Sequence, residues 1–248
     1  MSLTTIGFFF ILITIILILA IGMLDRKKVH GNLRVIPSFE QLQKAINLIV
    51  ESGKGAHITV GRGSILSPQA GSTLAAMEML SHLSRLCLNG DVPPISTSGD
   101  GVVNLMAIDT LRNSYRSAHL QQRFHPLSGQ VTGVSPYSYM AGAMLAQRDD
   151  NRTLTVALGS FGPEVGLLAD TSERMQAHTI GGTDNLLAQA VLYATSRSPL
   201  IGEEFFAASA YTQGTAIQIA SLKTQDVLRV LLAVGIVAGA VLKALGVI

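Results

Sequence analysis

The sequence predicts a mainly parallel α/β domain held between two membrane-spanning helices, one at each end of the chain. An uncharged apolar run lies near each terminus, and short β-rich runs alternate with helical patterns between them. Charged residues make up only 14% of the 248 residues, against about a quarter in typical soluble domains. Since the apolar excess is concentrated at the two ends, membrane segments explain it better than an unusually apolar core.

The first predicted span covers residues 6–24 and contains no charged side chain. At about 1.5 Å per residue, a helix of this length matches the hydrocarbon core of a bilayer. The leader before it, residues 1–5, is uncharged, whereas the linker at residues 25–37 begins with the basic stretch Arg26-Lys27-Lys28. The positive-inside bias therefore places the leader outside and the linker in the cytoplasm. A signal peptide is the competing interpretation, but its basic residues would precede the apolar run.

The second predicted span covers residues 230–248 and follows a connecting helix at residues 211–229. Its only charged residue, Lys243, is close enough to the helix end to reach the far interface. Arg229 adjoins its start, so this end also indicates a cytoplasmic flank. Both spans predict an inner-membrane protein with its termini outside and its central domain in the cytoplasm. A core helix of a soluble domain is the alternative.

Two glycines within the second span are the predicted helix-packing residues. Gly235 and Gly239 form a small-xxx-small pair, a pattern that lets two helices approach closely in lipid. Ordinary glycine usage in spans explains the same pattern. The pair favours a homo-oligomer or a larger membrane complex as the state of the protein.

The central domain, predicted at residues 38–210, alternates strands with helices. Strands are predicted at residues 57–60, 94–97, 130–134, 153–158, 178–180 and 199–201. Helices are predicted at residues 70–88, 102–117, 137–146, 165–175 and 185–195. This alternation predicts a Rossmann-like or flavodoxin-like layered arrangement, although the strand order is not readable. Before the first strand, Ser38 and Gln41 have the spacing of a capping box that would begin a further helix.

Two pairs of turns have related sequences. Thr59 to Ser64 and Thr155 to Ser160 both read Thr-Val-x-x-Gly-Ser, and a weaker similarity links Thr97 to Gly101 with Gly181 to Asn185. Duplication of a βαβα half would explain these sequence similarities. Chance explains them as well, because turn chemistry restricts the choice of residues.

Small polar and charged residues follow the predicted strands, where open parallel sheets usually bind ligands. Helix N-termini with small hydroxyl residues can hold anions, so a nucleotide or phosphate site is one prediction. Its candidate residues are Arg62, Gly63, Ser64, Ser98, Asp100, Ser160 and Asp184. The competing interpretation is structural, because serine and aspartate at these positions commonly cap helices. Arg62, which stands between two glycines, is the most distinctive of the set.

Specific fingerprints of chemistry do not occur in the sequence. Leu66 stands where a dinucleotide-binding motif has glycine or alanine, and no P-loop or nucleophile-elbow pattern is present. The six histidines lack zinc-ligand spacing, and the single cysteine, Cys87, cannot form a thiolate cluster. No catalytic residue and no metal site are therefore predicted. The sequence does not indicate whether the protein binds a cofactor. A net charge of +2 gives no reason to expect nucleic acid as a partner.

Three stretches resemble those of an uncharacterised prokaryotic family of membrane-anchored proteins: Ile58 to Ser64, Ser96 to Gly101 and Gly181 to Asp184. The resemblance covers most of the chain from Arg34 to the second span. It implies a single-domain membrane protein and brings no activity or functional residues.

Two functions remain under consideration, and the chain is not assigned as an enzyme. The first is a membrane-anchored, oligomeric structural or accessory subunit with a cytoplasmic α/β domain. The second is a protein or enzyme that binds an anionic small molecule at the carboxyl ends of the strands. A channel ranks last, because two spans cannot enclose a pathway without an oligomer.

Overall fold

The structure, a computed structural model, describes residues 3–24, 33–148 and 151–245. The chain divides into two compact units. One unit, Val35–Thr212, contains the sheet, and the other combines Met1–Arg34 with Gln213–Ile248. The basic stretch that carries the predicted orientation, Arg26-Lys27-Lys28, lies outside the described residues.

The sheet of the first unit has six strands, and every neighbouring pair is parallel. The strands are β1 (Gly55–Gly61), β2 (Ile95–Ser98), β3 (Gly129–Val131), β4 (Arg152–Ser160), β5 (His178–Thr183) and β6 (Ser198–Leu200). Their order is β3-β2-β1-β4-β5-β6, which is the order of Rossmann sheets and differs from that of flavodoxin. The predicted α/β class with a parallel sheet is confirmed, and β1 and β4 lie at its centre.

Helices cover both faces of this sheet. The layer that we call the first layer contains α2 (Pro37–Glu51), α3 (Ala70–Cys87), α4 (Gly101–Ser117) and α8 (Glu204–Thr212). The second layer contains α5 (Pro136–Gln147), α6 (Val165–Arg174) and α7 (Leu186–Thr195). Each of the predicted strands and helices of this region overlaps an observed element.

The predicted capping box at the start of α2 is wrong. The helix begins at Pro37, whose fixed φ suits a first turn, and no side chain caps it. Ser38 instead donates a hydrogen bond to the carbonyl of Pro199 (2.9 Å), and Gln41 accepts one from the hydroxyl of Ser198. Both side chains therefore fasten α2 to the edge strand β6, so they are not available to the helix end.

The two faces of the sheet have different interiors, because side chains alternate along each strand. Aliphatic side chains face the first layer; in β1 and β4 they are Ile58, Val60, Leu154, Val156 and Leu158. Polar and small side chains face the second layer; they include His57, Thr59, Thr155 and Thr179, all fully or almost fully buried. We call these the aliphatic face and the polar face.

The strand register revises the correspondence between the two halves. Thr59 of β1 pairs with Thr97 of β2, and Ala157 of β4 pairs with Gly181 of β5. The sequence similarity matches Thr97 with Gly181, and if these two residues correspond, their partners Thr59 and Ala157 correspond as well. The repeated Thr-Val-x-x-Gly-Ser motif instead matches Thr59 with Thr155, which is two residues earlier. In the correspondence that the register indicates, the last residue of β1 matches the penultimate residue of β4, and both are glycines with positive φ.

The other unit contains α1 (Leu3–Leu24) and α9 (Ala216–Ala244). Among the described residues, α9 is the one helix long and apolar enough to cross a membrane, and none of its most apolar segment is buried. The apolar run described in α1, Gly7–Met23, is shorter. The two helices pack together, and a Cβ built on Gly22 would lie 3.6 Å from the Cβ of Ala220.

Candidate functional site

The carboxyl ends of β1 and β4 meet where the strand order reverses, which is where open α/β sheets usually bind ligands. The two strands stay paired to their last residues. Gly61 pairs with Ser160, and the backbone N–H of Arg62 donates to the Ser160 carbonyl (3.0 Å). Gly61 adopts a φ of +82°, and a Cβ there would lie 2.6 Å from the Ser160 carbonyl oxygen. Glycine is therefore required for this close approach.

Arg62 extends from the end of β1 across the neighbouring strand ends. Its Cγ would lie 2.5 Å from a Cβ on Gly99, the residue that follows β2. Its Nε lies 3.5 Å from Oε1 of Glu164, a side chain that is only 6% exposed. The same oxygen accepts the N–H of Gly162 (3.1 Å). The charge of Arg62 is thus offset by a nearly buried carboxylate on the loop after β4.

The residues after β2 stabilise their own turn. The hydroxyl of Ser98 donates to the carbonyl of Asp100 (2.9 Å). The carboxylate of Asp100 accepts the N–H of Val103 (2.9 Å) and so caps α4. This is the usual role of aspartate at a helix start.

The loop after β1 is also held by its own contacts. A Cβ on Gly63 would press on the hydroxyl of Thr73 and lie 3.1 Å from Cβ of Ser160. The carbonyl of Ser64 accepts the hydroxyl of Ser67 (2.8 Å). The structure therefore packs this loop tightly against the start of α3 and the end of β4.

Asp184 does not cap the helix that follows it. Asn185 caps α7 by accepting the N–H groups of Leu187 (2.9 Å) and Ala188 (3.3 Å). The carboxylate of Asp184 instead accepts the hydroxyl of Ser72 in the first turn of α3 (2.6 Å). A negative charge is favourable at a helix N-terminus, and the carboxylate of Asp184 beside the first turn of α3 would repel an anionic ligand there.

Beneath this edge, Tyr139 of α5 organises a buried polar cluster. Its hydroxyl bonds to that of Thr59, accepts the N–H of Gly61 (3.2 Å) and lies 3.4 Å from the carbonyl of Thr97. Its ring stacks on that of Phe161 at 6.3 Å between centroids. Burial raises the pKa of Tyr139 to about 12. The phenol therefore stays neutral and ties α5 to the ends of β1 and β2.

His57 continues the same cluster toward the amino ends of the strands. Its Nε2 lies 2.8 Å from the hydroxyl of Thr97, and its Nδ1 lies 3.2 Å from Oε1 of Gln147. Because the amide oxygen can only accept, Nδ1 carries the proton and Nε2 accepts from the threonine. Burial lowers the pKa of His57 from 6.5 to about 4. The imidazole is thus a neutral structural link with both nitrogens satisfied.

Tyr139, His57 and Gln147 are not among the site residues predicted from the sequence. A signal existed in β1, where polar residues at alternate positions interrupt an otherwise aliphatic run. Such a pattern ordinarily indicates a solvated strand face. Here the polar face is covered by the second layer, so its side chains satisfy one another.

The outer surfaces of the two layers also differ. Exposed charged residues occur on α2, α3 and α4 of the first layer and on α6 of the second. By contrast, α5 and α7 contain no charged residue. Their exposed side chains include Tyr137, Leu145, Leu186, Leu187 and Tyr193.

The predicted helix-packing glycines lie on an open face of α9. A Cβ added to Gly235 or Gly239 would meet no heavy atom of the described chain within 4 Å. The packing of α9 with α1 therefore does not use these two positions. Among the described residues, no group of three or more His, Cys, Asp or Glu side chains is placed to hold a metal ion.

These features define a class: a doubly wound α/β protein with the Rossmann strand order and an apolar helix near its C-terminus. A family model described as a domain of unknown function, DUF6754, matches residues 2–248. The chain belongs to this family, and the resemblance to an uncharacterised family is thereby confirmed. Searches of curated proteins and of solved structures found no significant match.

Proposed function

We propose that this protein is a membrane-anchored structural or accessory subunit that assembles with further copies of itself. Its α/β domain would lie in the cytoplasm, with α1 and α9 as the two anchors. The length and apolar surface of α9 support the anchor. The exposed Phe and Ile side chains of α1 support a second one, because a helix of this composition is more stable in lipid than in water.

The observation that carries the proposal is the uncharged outer surface of α5 and α7. Tyr137 and Tyr193 are more than two-thirds exposed, as are Leu186 and Leu187. Exposed apolar patches rimmed by polar residues mark interaction surfaces in soluble domains. A subunit that contacts other protein through these helices would remove this surface from water.

The contacts between side chains at the carboxyl edge of the sheet support the same proposal. Arg62 pairs with Glu164, Asp184 accepts from Ser72, and Asp100 caps α4. Each of these side chains thus has a structural task, and an anion at α3 would meet the carboxylate of Asp184. This arrangement favours a scaffold over a ligand-binding enzyme.

Extraction in a mild detergent followed by native mass spectrometry of the full chain tests the proposal. We expect a particle that contains at least two copies. Alkaline carbonate washing of membranes, which removes peripheral proteins, should leave the chain in the membrane fraction. A particle of one chain at working concentration, or release by carbonate, would contradict the proposal.

A second candidate function rests on Arg62. Its ion pair with Glu164 is made through Nε, and its side chain is 29% exposed, so the two Nη groups of the guanidinium remain as donors for an anion such as a phosphate or nucleotide. Thermal shift of the full chain with inorganic phosphate and with ATP would test this. An increase in Tm that Arg62→Met abolishes would support ligand binding, and no increase would remove this candidate.

A further inference from the structure

The exposed side of α7 forms one continuous uncharged surface. Its exposed side chains are Leu186, Leu187, Ala190, Tyr193 and Ala194. They follow the spacing of one helix face, while Ala188, Gln189 and Leu192 point inward. We call this surface the α7 face. Tyr193, 73% exposed, supplies an aromatic ring and a hydroxyl near the C-terminal end of this face.

The neighbouring sheet edge does not offer an alternative contact. An unprotected edge strand can pair with another chain, but β6 has only three residues and contains Pro199, which has no N–H to donate. The carbonyl of Pro199 already accepts the hydroxyl of Ser38. This edge is therefore a poor template for strand pairing, which favours association through the side chains of a helix.

We propose that the α7 face binds the α7 face of a second copy around a two-fold axis, an inference that rests on the proposed function. A two-fold contact places a patch against itself, so any charged residue near the axis would meet the same charge. The α7 face carries no charge and meets this condition without a complementary partner. Exposed aromatic side chains are also the residues that dominate binding at such contacts.

The area of one helix face is small for an independent interface, because stable contacts bury about 800 Å² per partner. Anchoring of both copies in a membrane reduces the interface area that they need. Two copies held in the same membrane meet at a high effective concentration, so a weaker contact suffices. The contact is accordingly expected in membranes and at high protein-to-detergent ratio, and it should weaken on dilution.

Disulfide cross-linking of the full chain in its native membrane tests the proposal. The natural Cys87 is buried and burial raises its pKa to about 12, so it does not react under mild oxidation. The test variants are Ala190→Cys and Ala194→Cys on the α7 face, which leave Tyr193 in place. The controls are Leu48→Cys on α2 and Leu105→Cys on α4, whose leucines are 65% and 67% exposed.

We expect at least one α7 variant to form a cross-linked dimer of two chains about tenfold more than either control, a difference equivalent to about 1.4 kcal/mol. A disulfide requires the two Cβ atoms to approach within about 4.5 Å, so the reaction reports direct contact. Equal cross-linking in all four variants would overturn the proposal. A cross-linked product with a different protein would overturn it as well.

A charge variant separates this inference from the proposed function. Leu187→Glu places two carboxylates near the axis and should shift the extracted particle to single chains, whereas Leu105→Glu should leave its mass unchanged. If the wild-type particle holds several copies and Leu187→Glu does not change it, the α7 contact is wrong and the assembly stands. If the wild-type particle is a single chain, both are wrong.

Discussion

The two helix layers of the α/β domain differ in the sheet face that they cover and in the side chains that they expose. The first layer covers aliphatic side chains such as Ile58 and Val156 and presents charged residues to solvent. The second layer covers the buried polar cluster of His57, Thr59 and Tyr139, and two of its three helices present only uncharged side chains.

This difference suggests that the first layer mainly stabilises the domain, whereas the second layer also provides a surface for association. The first layer follows the usual rule for a soluble protein, with apolar groups inside and charge outside. The second layer packs through its own apolar cluster, which includes Met140, Leu168 and Leu192. Its helix α5 is also held by the hydrogen bonds of Tyr139, which demand a particular geometry from every partner. A helix such as α5, fixed in this way, keeps its outer face in one position, as a protein contact requires.

Truncation in the aliphatic core should have the largest effect. Leu80 of α3 is fully buried, so Leu80→Ala should lower the free energy of unfolding by about 2–5 kcal/mol through lost burial and a cavity. Denaturant titration of the full chain in detergent measures it. A loss below about 1 kcal/mol would show that this core is loosely packed.

Acid should destabilise the polar face next most strongly. His57 is neutral in both states above pH 6.5; as the pH falls from 6.5 to about 4, the unfolded chain binds the proton first. The free energy of unfolding should therefore fall by about 3 kcal/mol over this window and level off below it. In His57→Gln this component of the pH profile should be missing. Parallel profiles for the two proteins would contradict the assignment.

Removing one phenol hydroxyl should distinguish the two layers directly. Tyr139→Phe removes the acceptor of the Gly61 N–H and leaves the hydroxyl of Thr59 with only the carbonyl of Thr97, 3.5 Å away. This should cost about 1–3 kcal/mol. Tyr115 of α4 is equally buried, but its hydroxyl has no hydrogen-bond partner in the described structure. Tyr115→Phe should therefore be neutral or slightly stabilising. Equal losses in the two variants, read from their denaturation midpoints, would refute the contrast.

Helix caps should give the smallest effects and should not distinguish the layers. Asp100 caps α4 and Ser135 caps α5, so Asp100→Ala and Ser135→Ala should each lower the free energy of unfolding by about 1 kcal/mol. Thermal melts of both variants against the wild type measure this. A much larger loss for one of them would indicate a further role for that residue.

The sequence predicted the elements of the domain well, for local reasons. Glycine and proline turns mark where strands such as β1 and β4 end, and Asp100 has the position of a cap that it occupies. These signals come from residues that are close together in the chain, so they can be recognised in a single sequence. The strand order depends on contacts between distant segments, so it could not be predicted in the same way.

The errors have the same physical origin. Ser38 and Gln41 have the spacing of a capping box, but partners in β6, far along the chain, compete for their side chains. The position of Asp184 predicted a helix cap, but in the fold its carboxylate accepts a hydrogen bond from Ser72 in the first turn of α3. Local spacing predicts what a side chain could bind nearby, whereas the fold decides which partner it has.

A density map of the particle purified from its native membrane would show directly how the chains associate. We expect at least two copies, with the α7 faces of two chains in contact across a two-fold axis and Tyr193 within the contact. A particle of one chain, or an assembly in which α7 faces solvent, would contradict this expectation.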